Sequence, residues 1–384
     1  MTNQTKKAQT HRKVNLIKLS ADAHKRQFKV CRQVGDQNIQ PPQTFRSAEV
    51  AQWALQQLEL AERVVFCYEA GPFGYELARR LEGGGVEAIV MCPQVLDERC
   101  RRVSTDKRDA RQIAGRLDRY LAGNPEAIAV VRIPTVVEED ERAQSRLREQ
   151  MREARHRFES QGRSYLLYKG LDCPEGWWRG SEQAWQTLAQ KQGWSAVIVE
   201  HLSTYRRLAL AADAEVKRLS ALIEQAAQEH LPAGMKSLPA GFGELSMEVV
   251  RREVCDWKRF QNRGHVGSFM GLCPGEASTG ETRHQGPITK AGDPLCRHHL
   301  VQLAWRATAF QPEYWVVKKF RERLAKSKAR SVARKKIIVA MARLIAVDLW
   351  RLYTGQTTME KLGLRPNTGK AYVLKALGTV ASNG

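Results

Sequence analysis

The chain has 384 residues, with 62 lysines and arginines against 41 aspartates and glutamates, a formal net charge of +21. That length suits two or three domains, and 42% apolar content with nine tryptophans excludes a disordered chain. No run of about 18 apolar residues is present, which excludes a membrane span, and eight scattered cysteines without a CxxC pair read as reduced thiols rather than a zinc site or a disulfide framework.

The basic N-terminus lacks the apolar block of a signal peptide, which predicts a cytosolic protein. At this charge, nucleic acid is the first expected partner. Lys6, Lys7, Arg12, Lys13 and Lys18 fall in residues 1–19 without an acid. Val14–Leu19 reads as a strand and Gln27–Cys31 as its antiparallel return. Ser47–Leu60 follows as a serine-capped amphipathic helix. Then come a buried strand at Arg63–Tyr68, a helix at Gly74–Leu81 stopped by three glycines, and a strand at Val86–Met91. A helix at Thr105–Leu117 and a strand at Ala127–Ile133 complete a hairpin-first, mixed α/β pattern.

Glu138–Arg163 is dense in both charge signs and reads as a long exposed helix. After a Gly/Pro/Trp-rich turn, Glu182–Glu229 reads as one more helix, with an apolar stripe from Leu208 to Ile223. Residues 233–355 are mostly helical, interrupted by a Gly/Thr/Ser-rich loop at Gly271–Gly292, and the chain from Gly363 onward reads as loose. Residues 318–336 hold ten basic residues, among them Lys318, Lys319, Arg334, Lys335 and Lys336, against Glu322 alone. A solvated helix face would explain them, but two such clusters in a chain already this basic favour phosphate contact. The expected domains are 1–135, 136–232 and 233–360, with a tail at 361–384.

Two constellations carry chemistry. Asp22 and Glu69 lie at strand ends, and Asp106 and Asp109 sit i, i+3 on one face at a helix start. Singly, each has an ordinary reading: Asp106 as an acid favoured by the helix dipole, Asp109 as a local partner of Lys107 or Arg111. Together they suggest an RNase H-like, resolvase-type site, since clustered carboxylates repel unless a cation such as Mg²⁺ neutralises them. The second is Gly271-Leu272-Cys273-Pro274-Gly275-Glu276-Ala277-Ser278-Thr279-Gly280, followed by Arg283, Lys290 and Arg297. Glycines allow close backbone approach to phosphate, and the basic residues supply charge. A hydroxyl there would be placed to attack phosphorus, although Ser278 and Thr279 also suit an ordinary turn. Just upstream, Leu238-Pro239-Ala240-Gly241-Phe242-Gly243 leads into a helix like the turns that grip nucleic-acid backbone.

Tyr68-Glu69-Ala70-Gly71-Pro72-Phe73-Gly74-Tyr75, Ser104-Thr105-Asp106-Lys107-Arg108-Asp109-Ala110, the Ser278 segment, and Gly286-Pro287-Ile288-Thr289-Lys290-Ala291-Gly292-Asp293 with Arg297 resemble one family, in order, over roughly residues 13–350. It is the DEDD/serine insertion-sequence transposases, the IS-one-ten and IS-eleven-eleven group. The resemblance implies an α/β N-terminal RNase H-like (RuvC-like) domain, a helical coiled-coil linker and a mainly α C-terminal domain with the serine. It implies a recombinase acting on donor and target DNA, with Ser278 as nucleophile and Thr279 as the neighbouring hydroxyl. Asp22, Glu69, Asp106 and Asp109 would hold Mg²⁺ or Mn²⁺. A non-coding guide RNA, a homotetramer and a bacterial, nucleoid-associated location are implied with it. Two other readings stay open: a nuclease that uses the carboxylates and water alone, and a non-catalytic nucleic-acid binder.

Overall fold

The computed structural model describes residues 13–71, 74–93, 106–232, 234–276, 285–329 and 331–367. The chain divides into two compact units, Met1–Thr135 and Val136–Gly384.

The first unit is built on a five-stranded sheet. Its strands are β1 (Val14–Ala23), β2 (Gln27–Val34), β3 (Gln43–Arg46), β4 (Ala61–Glu69) and β5 (Glu87–Met91), in spatial order β3-β2-β1-β4-β5. β1, β2 and β3 pair antiparallel, whereas β4 runs parallel to β1 and β5 parallel to β4. Alternation along the strands gives the sheet two apolar faces. Ile17, Leu19, Ala21, Phe66 and Tyr68 pack with α1 (Val50–Gln56) and α2 (Glu76–Gly83). Val65, Cys67, Ile89 and Met91 pack with Ile113 and Leu117 of α3 (Asp106–Leu121) on the other face.

Local outcomes differ from the sequence pattern in three places. The helix expected from Ser47 starts at Val50, because the Ser47 hydroxyl bonds the Lys25 carbonyl rather than capping. The strand expected at 127–133 is reduced to one bridge, Met91 to Val130, after a 3₁₀ turn. The short β3 adds an edge that its four residues do not announce.

In the second unit, α4 (Val136–Tyr168) lies antiparallel to α6 (Ala196–Ala227). Arg148 reaches Ser220 and Arg155 reaches Asp213, so contacts run down α6 as they run up α4. The single helix expected over 182–229 is two, α5 (Glu182–Lys191) and α6, broken where Gly193 turns left-handed and Ser195 caps α6. Trp177, Trp185 and Trp194 bury together with Leu166 and Leu202 near the open ends of α4 and α6. The remainder packs α7 (Glu244–Val254), α8 (Arg263–Phe269), a hairpin of β6 (Pro274–Glu276) and β7 (Gln285–Ile288), α9 (Pro294–Phe310), α10 (Trp315–Lys326) and α11 (Val332–Tyr353) around one core. Residues 363–367, expected loose, are instead tied down: Ala240 N–H donates to Arg365 O, Asn367 N–H to Leu238 O, and buried Gln311 bridges both strands of chain. No described helix is long and apolar enough to cross a membrane.

Candidate functional site

Parallel pairing of Ala21 with Tyr68 brings the next residues, Asp22 and Glu69, level at the carboxyl ends of β1 and β4. Both belong to the face covered by α3, because they alternate with Ala21 and Tyr68 of the opposite face. The Ser20 hydroxyl donates to Ala110 O at 3.0 Å, fixing the start of α3 over β1. Two residues further along β1 is about 7 Å, and four residues back along α3 from Ala110 is about 6 Å. The first turn of α3, with Asp106 and Asp109, therefore sits at the level of Asp22.

Asp22 is half-buried, its side chain 17% exposed, and an oxygen lies 3.3 Å from His24 Nε2. Burial pushes the Cys67 thiol up to about 12, and the charge of Glu69, on the same face, adds to the effect. Asp109 is half-buried, while the side chain of Asp106 lies outside the described residues. The donors are carboxylate oxygens, the ligand chemistry of Mg²⁺ or Mn²⁺. The oxygens of the three described carboxylates do not all lie within 4.8 Å of one another.

Among the described residues, one group of three possible ligands has its atoms within 4.8 Å of one another: Glu141, His230 and Glu248. Its carboxylates are already neutralised. Arg251 Nη2 lies 2.7 Å from both Glu141 and Glu248, and Arg252 Nε 2.8 Å from Glu248. Burial pushes the Glu248 carboxyl up, but the bonds from Arg251 and Arg252 outweigh it and hold it below its ordinary value. A divalent ion would face two permanent guanidinium charges there, so this group is an ion-pair hub between α4 and α7. A second hub lies nearby: Glu253, with its side chain fully buried, meets Arg142 at 3.2 Å and Arg146 at 2.8 Å. Single residues in charge-rich helices gave the sequence reading no sign of either hub.

The loop expected at Gly271–Gly292 is a hairpin on a tight neck. Gly271 adopts φ +63°, and a Cβ on Gly292 would stand 2.4 Å from Gly271 N. Across the neck, Thr289 N–H donates to Cys273 O at 2.8 Å and Asp293 N–H to Phe269 O at 2.8 Å. Asp293 also caps α9 by accepting from Cys296 N–H at 2.7 Å. Ser278, Thr279 and Arg283 fall in the segment that joins β6 to β7 and lie outside the described residues.

The basic residues divide. Arg297 Nη1 donates to Met270 O at 3.1 Å and so braces the neck. Lys290 is exposed and takes φ +57°, a left-handed conformation that costs a non-glycine residue about 1–2 kcal/mol. Lys318 pairs with Glu313 at 2.8 Å, and Lys319 stands over the Trp315 ring. Arg334 donates to Leu324 O at 3.1 Å, closing the end of α10, while Lys335 and Lys336 are exposed.

Residues 235–317, which contain the hairpin and the neck, match the model of the transposase IS116/IS110/IS902 family. The chain is 28% identical over 315 residues to y4rJ of Sinorhizobium fredii, assigned as a transposase, covering 76% of this chain and 77% of that protein. It is 30% identical over 280 residues to y4qE of the same organism, assigned likewise, covering 71% and 65%. It is 24% identical over 249 residues to the transposase for insertion sequence element IS1533 of Leptospira borgpetersenii, covering 62% and 69%.

Proposed function

The chain belongs to the IS116/IS110/IS902 family of insertion-sequence transposases, and from that premise we propose that it exchanges strands of donor and target DNA through a phosphoserine link at Ser278. The Ser278 Oγ attacks a phosphodiester phosphorus, the new O–P bond displaces one sugar oxygen, and that oxygen leaves carrying a proton. Attack by a sugar hydroxyl of the second strand restores a phosphodiester and returns the proton to the serine. The observation that carries this reading is the family match over 235–317, which encloses a serine segment mounted on a braced neck.

Asp22, Glu69, Asp106 and Asp109 on an RNase H-like sheet would hold Mg²⁺ or Mn²⁺. Such an ion supplies charge neutralisation where negative oxygens develop at phosphorus. The residues would do the orienting: Asp22 and Glu69 stand level at the ends of β1 and β4, and the start of α3 would supply the third and fourth acids. A guide RNA from the same element would supply target choice by pairing, and a tetramer would let the carboxylate domain of one subunit complete the serine site of another. Lys290, Lys319, Lys335 and Lys336 would hold nucleic-acid phosphates.

The test is Ser278→Ala. It is expected to abolish recombination of the element's DNA ends while preserving RNA binding. Full recombination by that variant would refute the serine mechanism.

A further inference from the structure

Beyond these groups, β1 carries a buried lysine. Lys18 stands on the α3 face of β1, in the row Lys18, Ser20, Asp22, and is only 6% exposed. Its Nζ lies 2.5 Å from Asp118 Oδ1 in the fourth turn of α3, and 3.6 Å from exposed Asp36. We propose that Lys18 is a positioning residue: its ion pair with Asp118 sets where along β1 the helix α3 comes to rest, and thereby where Asp109 stands relative to Asp22 and Glu69. The inference rests on reading those acids as metal ligands, and names a residue of this chain that makes the site work.

Apart from this ion pair, α3 is held largely by apolar packing. Ile113 and Leu117 pack on Val65, Cys67, Ile89 and Met91, and Ala110 and Ala114 pack beside Cys31. Such contacts are not directional, and a slide of one helical turn, about 5.4 Å, would present a similar apolar stripe. Directional contacts oppose the slide, among them two at separate points along the helix. One is the Ser20 hydroxyl to Ala110 O near the front of the helix; the other is Lys18 to Asp118 further back. A slip of one turn would carry Asp109 further than the roughly 4 Å that separates two ions in a paired metal site. An apolar side chain at position 18 would fill the same face without the cost of desolvating a charge. What the lysine adds is register.

The experiment is titration of Mn²⁺ into the full-length chain, followed by calorimetry, alongside thermal unfolding without metal. Asp109→Ala marks the share of binding that belongs to the carboxylate site. Lys18→Met and Asp118→Asn are each expected to weaken that share at least tenfold at an unfolding midpoint close to the parent's, and Lys18→Arg to restore it. Asp118 is partly exposed, so its variant keeps the test available if Lys18→Met does not fold. Binding lost in Asp109→Ala but kept at full strength in both Lys18→Met and Asp118→Asn overturns the inference alone. Mn²⁺ binding that Asp109→Ala leaves intact overturns the metal-site reading, and the inference with it.

Discussion

His299 shows how one buried side chain ties stability to pH. It lies on α9, is 5% exposed, and its Nδ1 stands 3.1 Å from Ser246 Oγ, while Nε2 has no hydrogen-bond partner among the described residues. Burial lowers its pKa to about 4, and the neighbouring His298 and Arg148 push in the same direction against Glu149. The unfolded chain takes up this proton near pH 6.5 and the folded chain does not. Stability from the neutral imidazole is therefore complete above about pH 6.5 and is lost as pH falls toward 4, by about 3 kcal/mol at most. His299→Gln keeps a partner for Ser246 and is expected to flatten the fall in unfolding midpoint between pH 6.5 and 4. Parallel curves for parent and variant would contradict this. At the same scale, Lys18 shows why part of the site was hidden. A lysine in a strand reads as solvent-exposed, and only the helix that comes from some 100 residues later supplies the partner that keeps it inside.

At the scale of elements, the pairing of α4 with the tryptophan cluster depends on one missing methyl group. Ala in place of a mid-helix glycine gains about 1 kcal/mol by propensity. At Gly162, however, a Cβ would stand 2.1 Å from Trp177 Cζ2 and 2.6 Å from Cη2. Trp177 is packed against Trp185 and donates its indole N–H to Glu159 O at 3.3 Å, so it cannot retreat cheaply. Overpacking outweighs propensity, and Gly162→Ala is expected to lose about 2 kcal/mol in denaturant unfolding; a gain would contradict the packing. The central strands were legible because Val64-Val65-Phe66 and its neighbours are apolar runs of strand length. The β6–β7 hairpin was not, because Pro274–Glu276 and Gln285–Ile288 carry no alternation. The hydrogen bonds of the neck pair them, and those bonds join residues some 20 apart. Likewise the apolar stripe from Leu208 to Ile223 lies wholly within α6 and carried no sign of the break at Gly193 upstream of it.

For the whole molecule, the charge is unevenly spread. Residues 1–135 carry +7, residues 136–232 carry −1, and residues 233–384 carry +15. The cations of the central stretch are taken up in ion pairs: Arg155 with Asp213 and Arg206 with Glu182 inside it, and Arg142 and Arg146 with Glu253 of α7. The capacity to hold phosphate is thus concentrated in the stretches that bear the carboxylates and the serine hairpin, as a strand-exchanging enzyme requires. The placement of Asp22 and Glu69 at strand ends and of Asp109 near a helix start was legible because acids in such positions are conspicuous in a basic chain. The roles of Arg297 and Arg334 in bracing backbone were not, since sequence gives a guanidinium's charge and not its neighbours.

In the proposed mechanism, DNA becomes joined to one serine. The direct measurement is mass-spectrometric mapping of protein–DNA adducts, trapped by denaturing the chain during reaction with the element's DNA ends and RNA. A nucleotide remnant ester-linked to Ser278, absent from Ser278→Ala, is expected. Strand cleavage without any adduct, or with the remnant on another residue, would contradict it.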